Sequence, residues 1–214
     1  MSNYVVIDLE MCRVPDIKKK QFKYTSEIIE IGAVLLDDTF KISDTFKTYV
    51  SPEYGRIDTY IENLTKITNK DVCSAPVLKD ALKMFFEWLP EDTVMVAWSN
   101  NDSEQLNKET EYKNIQTEQL TLLLENAIDC QVMFGKKMDS PKVYRLSEAL
   151  IIANIEYDEG AHDALVDAHN TALLFEKIMN DEEFTLNPYY ENTNSGAPAY
   201  CPFADLLADA VDAI

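Results

Sequence analysis

Apolar and polar positions along this chain follow two different periods. Tyr4-Val5-Val6-Ile7-Asp8-Leu9-Glu10 is a short, β-branched, mostly apolar run, which predicts a buried strand. Comparable runs predict strands over 28–36, 46–50 and 93–98. The near-continuous apolar character of the first run suggests cover on both faces, as in an α/β layer fold. Elsewhere the spacing is helical. Ser74-Ala75-Pro76 opens a helix with Val77, Leu78, Ala81, Leu82, Phe85, Phe86 and Leu89 on its apolar face, and Pro90 ends it. Ser99-Asn100-Asn101 is a turn or helix start, and Asp102 leads into a polar helix. Residues 119–134 predict a helix and then a short strand or turn around Ile128-Asp129. Residues 146–155 predict a short helix and residues 161–179 a longer one.

The pattern changes after Asp181. Residues 187–202 are rich in Asn, Thr, Gly, Pro and Tyr and predict a linker. Phe203, Leu206, Leu207, Ala210, Val211 and Ile214 then fall at helical spacing, with aspartates opposite. This segment reads either as a terminal helix docked on its own domain or as one making a protein-partner or dimer contact. The expected division is a domain over 1–180 and an acidic linker plus amphipathic helix over 181–214.

The length of 214 residues and the 46% hydrophobic content suit one globular domain with an appendage. Charge changes the picture more. Nineteen Lys and Arg against 38 Asp and Glu leave a net charge of −19. Residues 181–214 supply seven of those acids and no Lys or Arg. The imbalance argues against a broad basic surface for duplex nucleic acid or an anionic membrane. It leaves room for a local pocket where acids hold cations and cations hold phosphate. The densest basic stretch is Arg13, Lys18, Lys19, Lys20 and Lys23, a solvated loop or a set of phosphate contacts. Cys12, Cys73, Cys130 and Cys201 form no CxxC pair, so a structural zinc site has no support. No basic leader precedes the first strand, and no apolar run approaches the roughly 20 residues that span a bilayer. Reduced thiols in a cytoplasmic protein are the expectation.

Asp8 and Glu10 lie two apart on the first strand, so they share a face. Two carboxylates on a buried strand are expensive unless cations or donors satisfy them. Asp102 follows another strand, and sites on α/β sheets commonly lie beyond strand ends. His162 sits at a predicted helix start, where an imidazole can take a proton near neutral pH, and Asp167 lies five residues on. His169, two residues past Asp167, points away from that carboxylate and is expected at the surface.

In that order and setting, Asp8, Glu10, Asp102, His162 and Asp167 resemble the DEDDh family of 3′→5′ exonucleases in the ribonuclease H-like superfamily. The first motif is Ile7-Asp8-Leu9-Glu10, the second Val96-Ala97-Trp98-Ser99-Asn100-Asn101-Asp102, and the third His162 to Asp167. Glu27-Ile28-Ile29-Glu30-Ile31-Gly32-Ala33 and Leu64-Thr65-Lys66-Ile67-Thr68 also look familiar. The resemblance covers roughly residues 4–180 and is closest in motif form to the small-RNA and histone-mRNA trimming branch with its bacterial relatives. It implies a three-layer α/β/α fold around a mixed five-stranded sheet. It also implies hydrolysis at single-stranded 3′ ends, releasing nucleoside 5′-monophosphates. Four carboxylates suit that chemistry, because two divalent ions roughly 4 Å apart can stabilise both the attacking and the leaving oxygen. Oxygen ligands favour Mg²⁺ or Mn²⁺. By resemblance, Asp8 bridges both ions, Glu10 and Asp167 hold the one on the water side, Asp102 supports the second, and His162 takes the proton. Met11 stands where many members have Thr, a position near the terminal nucleotide. Phe22, Tyr24 and Tyr144 are candidates to stack on the last base.

The resemblance favours short RNA as substrate. Two other readings keep the fold: a DNA exonuclease of the proofreading or repair type, and a non-catalytic nucleic-acid or protein-binding module. The acidity favours a short footprint, the last few nucleotides held by metals and by Lys18, Lys19, Lys20 and Lys23.

Overall fold

The computed structural model describes residues 3–18, 24–158, 160 and 162–190. The predicted helix over 203–214 lies outside the described residues, as do Lys19, Lys20, Phe22 and Lys23. Five strands, β1 (Tyr4–Arg13), β2 (Ser26–Leu36), β3 (Ile42–Tyr49), β4 (Val94–Ala97) and β5 (Ile128–Asp129), form one sheet in the order β3-β2-β1-β4-β5. β1 pairs antiparallel with β2 and parallel with β4, so the sheet is mixed.

The helices are α1 (Thr59–Thr65), α2 (Asn69–Val72), α3 (Leu78–Trp88), α4 (Asn100–Tyr112), α5 (Glu118–Glu125), α6 (Cys130–Lys137), α7 (Leu146–Ile152) and α8 (Ala164–Asn180). Alternation along β1 sends its side chains into two layers. Val5, Ile7 and Leu9 pack with Leu78, Ala81 and Phe85 of α3, Leu106 of α4 and Leu120 of α5. Val6 packs with Phe134 of α6, Ala149 of α7, and Ala168, Ala172 and Phe175 of α8. These are the three layers expected. Cys12, further along the Val6 face, is covered instead by Ile61 of α1 and Val72 of α2. Between these two apolar covers the strand carries Asp8 and Glu10.

The structure departs from the sequence pattern where elements are short or polar. α1 and α2 were not predicted, since each has at most two turns. Local polar contacts start them. Asp58 accepts the Ile61 N–H at 3.0 Å, and Asp71 accepts the Thr68 N–H at 2.8 Å. β3 begins at Ile42 rather than 46, because its mostly exposed edge hides the alternation. The helix predicted from 161 begins at Ala164: Asp163 caps it, accepting from Leu165 and Val166. His162 has φ 71°, a left-handed conformation that cannot belong to the helix. Residues 181–190 fold back on the core, with Phe184 buried near Phe134. Among the described residues, Cys12, Cys73 and Cys130 are free. No helix among them is long and apolar enough to cross a membrane.

Candidate active site

Asp102 reaches the site because β4 ends early. β4 stops at Ala97 while β1 continues to Arg13. Ser99 caps α4, and Asp102 in the first turn accepts the Leu9 backbone N–H at 3.1 Å, taking the place of a strand partner. Asp102 is thereby fixed against the stretch of β1 that carries Asp8 and Glu10.

His162 and Asp167 reach the site through β2. A Cβ added at Gly32 would lie 2.2 Å from the Ala164 carbonyl carbon, so only glycine lets α8 start flush on the strand. Glu30 Oε2 accepts the Ala164 N–H at 3.0 Å. The His162 N–H donates to Asp167 Oδ2 at 2.8 Å, folding the loop onto the helix. One ligand atom each from Glu10, His162 and Asp167 lie within 4.8 Å of one another, a spacing that could hold a metal ion.

The acids crowd one another. Burial, then the negative charges of Asp102, Asp167, Glu10 and Glu30, hold the Asp8 carboxyl well above the ordinary range. Burial and the Asp167 charge push Glu10 up to about 8. Burial raises Asp102 to about 7, against the opposing N–H bond from Leu9. Asp167 is raised by burial, with the His162 N–H working the other way. Buried carboxylates crowded in this way are suited to binding cations. The donor set fits divalent ions: carboxylate oxygens from four acids, with one imidazole at the rim.

All five predicted residues therefore come together. Met11 is half-buried against the apolar layer shared with Leu9, and Lys18 is exposed at the end of the short turn Asp16–Lys18. Tyr144 is a correction. It is 3% exposed, with its ring 5.0 Å from that of Phe134, so it belongs to the core and cannot stack on a base. Tyr24 is half-buried, edge-on to Tyr112. His169 is also corrected: it is half-buried rather than at the surface, with Nδ1 3.1 Å from Asp158 Oδ2. Sequence reasoning missed Glu30, Gly32 and Lys47 as individuals. The available signal was one charge, Glu30, inside an otherwise apolar run.

The family model described as Exonuclease matches residues 5–175. The chain belongs to the exonuclease family. It is a DEDDh 3′→5′ exonuclease, and divalent metal ions go with that family. The exonuclease is 31% identical over 194 residues to DNA polymerase III subunit epsilon of Aquifex aeolicus (strain VF5), covering 88% of this chain and 87% of that one. It is 31% identical over 179 residues to ERI1 exoribonuclease 2 of Danio rerio, covering 72% of this chain but only 32% of that protein. In fold, the exonuclease is similar to the nuclease domain of 3′hExo, solved with rAMP, at a TM-score of 0.73 and 24% identity, covering 87% of this chain and 96% of that one.

Proposed function

We propose that this exonuclease removes nucleotides from single-stranded 3′ ends, RNA before DNA, and releases nucleoside 5′-monophosphates. The observation that carries the reading is the convergence of Asp8, Glu10, Asp102 and Asp167 beside His162 at the end of β4. Asp8, Glu10, Asp102 and Asp167 would hold the two Mg²⁺ or Mn²⁺ ions. Bound there, the ions would supply charge stabilisation for the attacking and leaving oxygens. The chain's own groups do the rest. The exposed His162 imidazole accepts a proton from the attacking water. The bond from the His162 backbone N–H to Asp167 fixes where that imidazole starts. Leu9 holds Asp102 in place, and the apolar layers behind β1 keep the acids from relaxing toward water.

The RNA preference is supported by the motif forms Asp8-Leu9-Glu10-Met11 and Trp98-Ser99-Asn100-Asn101-Asp102 and by the similarity to an exoribonuclease. DNA ends are the second reading, favoured by the longer match to a polymerase subunit. Met11 and Lys18, with Lys19, Lys20 and Lys23, are proposed substrate contacts over a short footprint. The catalytic unit is placed in 1–180. Residues 181–214 are proposed as an acidic linker, packed on the core at Phe184, and an amphipathic helix for self-docking or a protein contact. The free cysteines support a reducing compartment such as the cytoplasm.

Matched labelled RNA and DNA oligomers with Mg²⁺ or Mn²⁺ test the reading. The expected result is faster 5′-monophosphate release from RNA, abolished in an Asp8→Ala, Glu10→Ala double variant. Equal activity in wild type and double variant overturns it, and faster release from DNA moves the assignment to DNA ends.

A further inference from the structure

Glu10 pairs with Glu30 across β1 and β2, and Asp8 pairs with Gly32. On the other side of β2, Glu30 pairs with Tyr49 and Gly32 with Lys47 of β3. Paired residues share a face. Two rows therefore cross the sheet under α8: Asp8, Gly32, Lys47 and Glu10, Glu30, Tyr49. The helix begins over the glycine of the first row. Glu30, 1% exposed, takes the Ala164 N–H on one oxygen, while its other oxygen lies 3.1 Å from Lys47 Nζ. The same Nζ lies 2.6 Å from Oδ2 of Asp163, the residue that caps α8.

We propose that Glu30, Lys47 and Asp163 form a latch that positions His162 and Asp167 over Glu10 and Asp8, with Lys47 a positioning residue for hydrolysis. The inference rests on the DEDDh reading of the site. His162 is held from both sides: its neighbour Asp163 is tied to Lys47, and its own N–H is tied to Asp167. The rest of α8 docks through Ala168, Ala172 and Phe175, an apolar stripe that fixes the face of a helix better than its position along the sheet. Directional contacts at the first turn fix that remaining freedom.

Simple stabilisation explains the arrangement less well. Burying a carboxylate among other acids is costly, and an apolar side chain at position 30 would dock the helix without that penalty. α8 also has a second tether further along, the ion pair of Lys41 with Glu176, which touches no site residue. The two tethers hold the same helix, and only one stands next to the reacting groups.

That contrast supplies the test. Lys47→Met, Glu30→Gln, the double variant and Lys41→Met are compared on a single-stranded oligonucleotide. Mn²⁺ affinity of the metal-free protein is measured by calorimetry, and folding is checked by circular dichroism. Lys47→Met should lower kcat about 10-fold or more with little change in KM, because small misplacements of reacting groups are expensive. It should weaken Mn²⁺ binding about 10-fold, the scale of losing a group that orients a ligand. Lys41→Met should change neither. The double variant should be no worse than Lys47→Met alone, since both changes release one latch. If Lys47→Met misfolds, Glu30→Gln decides, because it keeps its shape and an acceptor for Ala164. Wild-type kcat and Mn²⁺ affinity in both single variants overturn the latch. Equal losses in Lys41→Met overturn it too, because they assign the effect to general helix docking. Absence of turnover in the wild type would instead remove the exonuclease reading, and the Mn²⁺ comparison would still decide the latch.

Discussion

The backbone N–H of His162 donates to the Asp167 carboxylate at 2.8 Å, closing the loop before α8 onto the helix's own first turn. One oxygen of Asp167 thus shapes the loop, and the other accepts no hydrogen bond among the described residues and can face a cation. Asp167→Asn separates these roles, because an amide oxygen still accepts the N–H but carries no charge. Both Asp167→Asn and Asp167→Ala should lose more than about 100-fold in rate, above the usual effect of groups that only orient a metal ligand. Both variants remove the same charge, so Asp167→Ala should be less stable than Asp167→Asn by about 1 kcal/mol, the typical value of one hydrogen bond. Urea unfolding of the metal-free variants checks the difference, and equal stabilities would deny the loop-closing role.

His162 stands close enough to Glu10 and Asp167 to be a metal ligand as well as a base. The two roles differ in what His162→Gln does. A base is expected here, so kcat should fall about 100-fold or more, within the range that general base catalysis contributes. Mn²⁺ affinity should stay within about twofold, because a lost ligand would cost far more than the 10–100-fold of an outer-shell change. A large loss of Mn²⁺ affinity would make His162 a ligand.

The site was legible in the sequence because its carboxylates interrupt apolar patterns. Asp8 and Glu10 break a buried strand, and the alternation that places them on one face holds along β1. Asp102 was legible as a residue beyond a strand end, but its anchor was not: the Leu9 N–H contacts it across 93 positions of chain. The start of α8 was misplaced, because the left-handed backbone at His162 leaves no mark in hydrophobic periodicity. Tyr144 was misjudged for a related reason. A tyrosine in a polar loop gives no sign that its ring turns inward onto Phe134. The mixed five-stranded sheet was legible only through family resemblance, and its strand order was not legible at all, since strand pairing is a non-local property.

Burial of the site acids, together with their repulsion, should appear as pH-dependent stability. Asp8, Glu10, Asp102 and Asp167 all have folded-state pKa values above the ordinary range, Asp102 at about 7 and Glu10 at about 8. A group raised on folding favours the folded state fully below its unfolded pKa and loses that contribution as pH rises through the folded one. The Tm of the metal-free protein should therefore fall as pH rises from 5 to about 8.5. Mn²⁺ competes with protons for the same oxygens, so it should raise Tm more at the higher pH. Glu10→Gln should flatten the slope and raise the metal-free Tm at high pH while removing activity. An unchanged slope in that variant would assign the effect to the overall charge of −19 instead.

The helix that presents Asp102 is anchored at its other end by a buried ion network. Glu27 is fully buried and accepts the N–H groups of Glu53, Tyr54 and Gly55 at 2.6–2.8 Å. Lys113 Nζ, just past α4, lies 2.7 Å from Glu27 and 3.0 Å from both Glu53 and Glu109. Glu109 also accepts the Ile28 N–H at 2.9 Å, which fastens α4 to β2. Burial opposes the charge on Lys113, but Glu109 and Glu27 outweigh it and raise its pKa. Lys113→Met would leave two buried carboxylates without their cation. Removing one partner of a buried pair costs about 3–5 kcal/mol, so urea unfolding at pH 8 should show a loss of that size. Burial already raises Glu109, and without Lys113 the Ile28 N–H bond is left to oppose it without a neighbouring cation. Protonation should then restore part of the stability, and the deficit relative to wild type should shrink at pH 5. The folded variant should keep most of its rate, because Ser99 and Leu9 still hold Asp102 at the near end of the helix. A deficit that is the same at both pH values would mean that the lost packing of the lysine stem, not the stranded carboxylates, sets the cost.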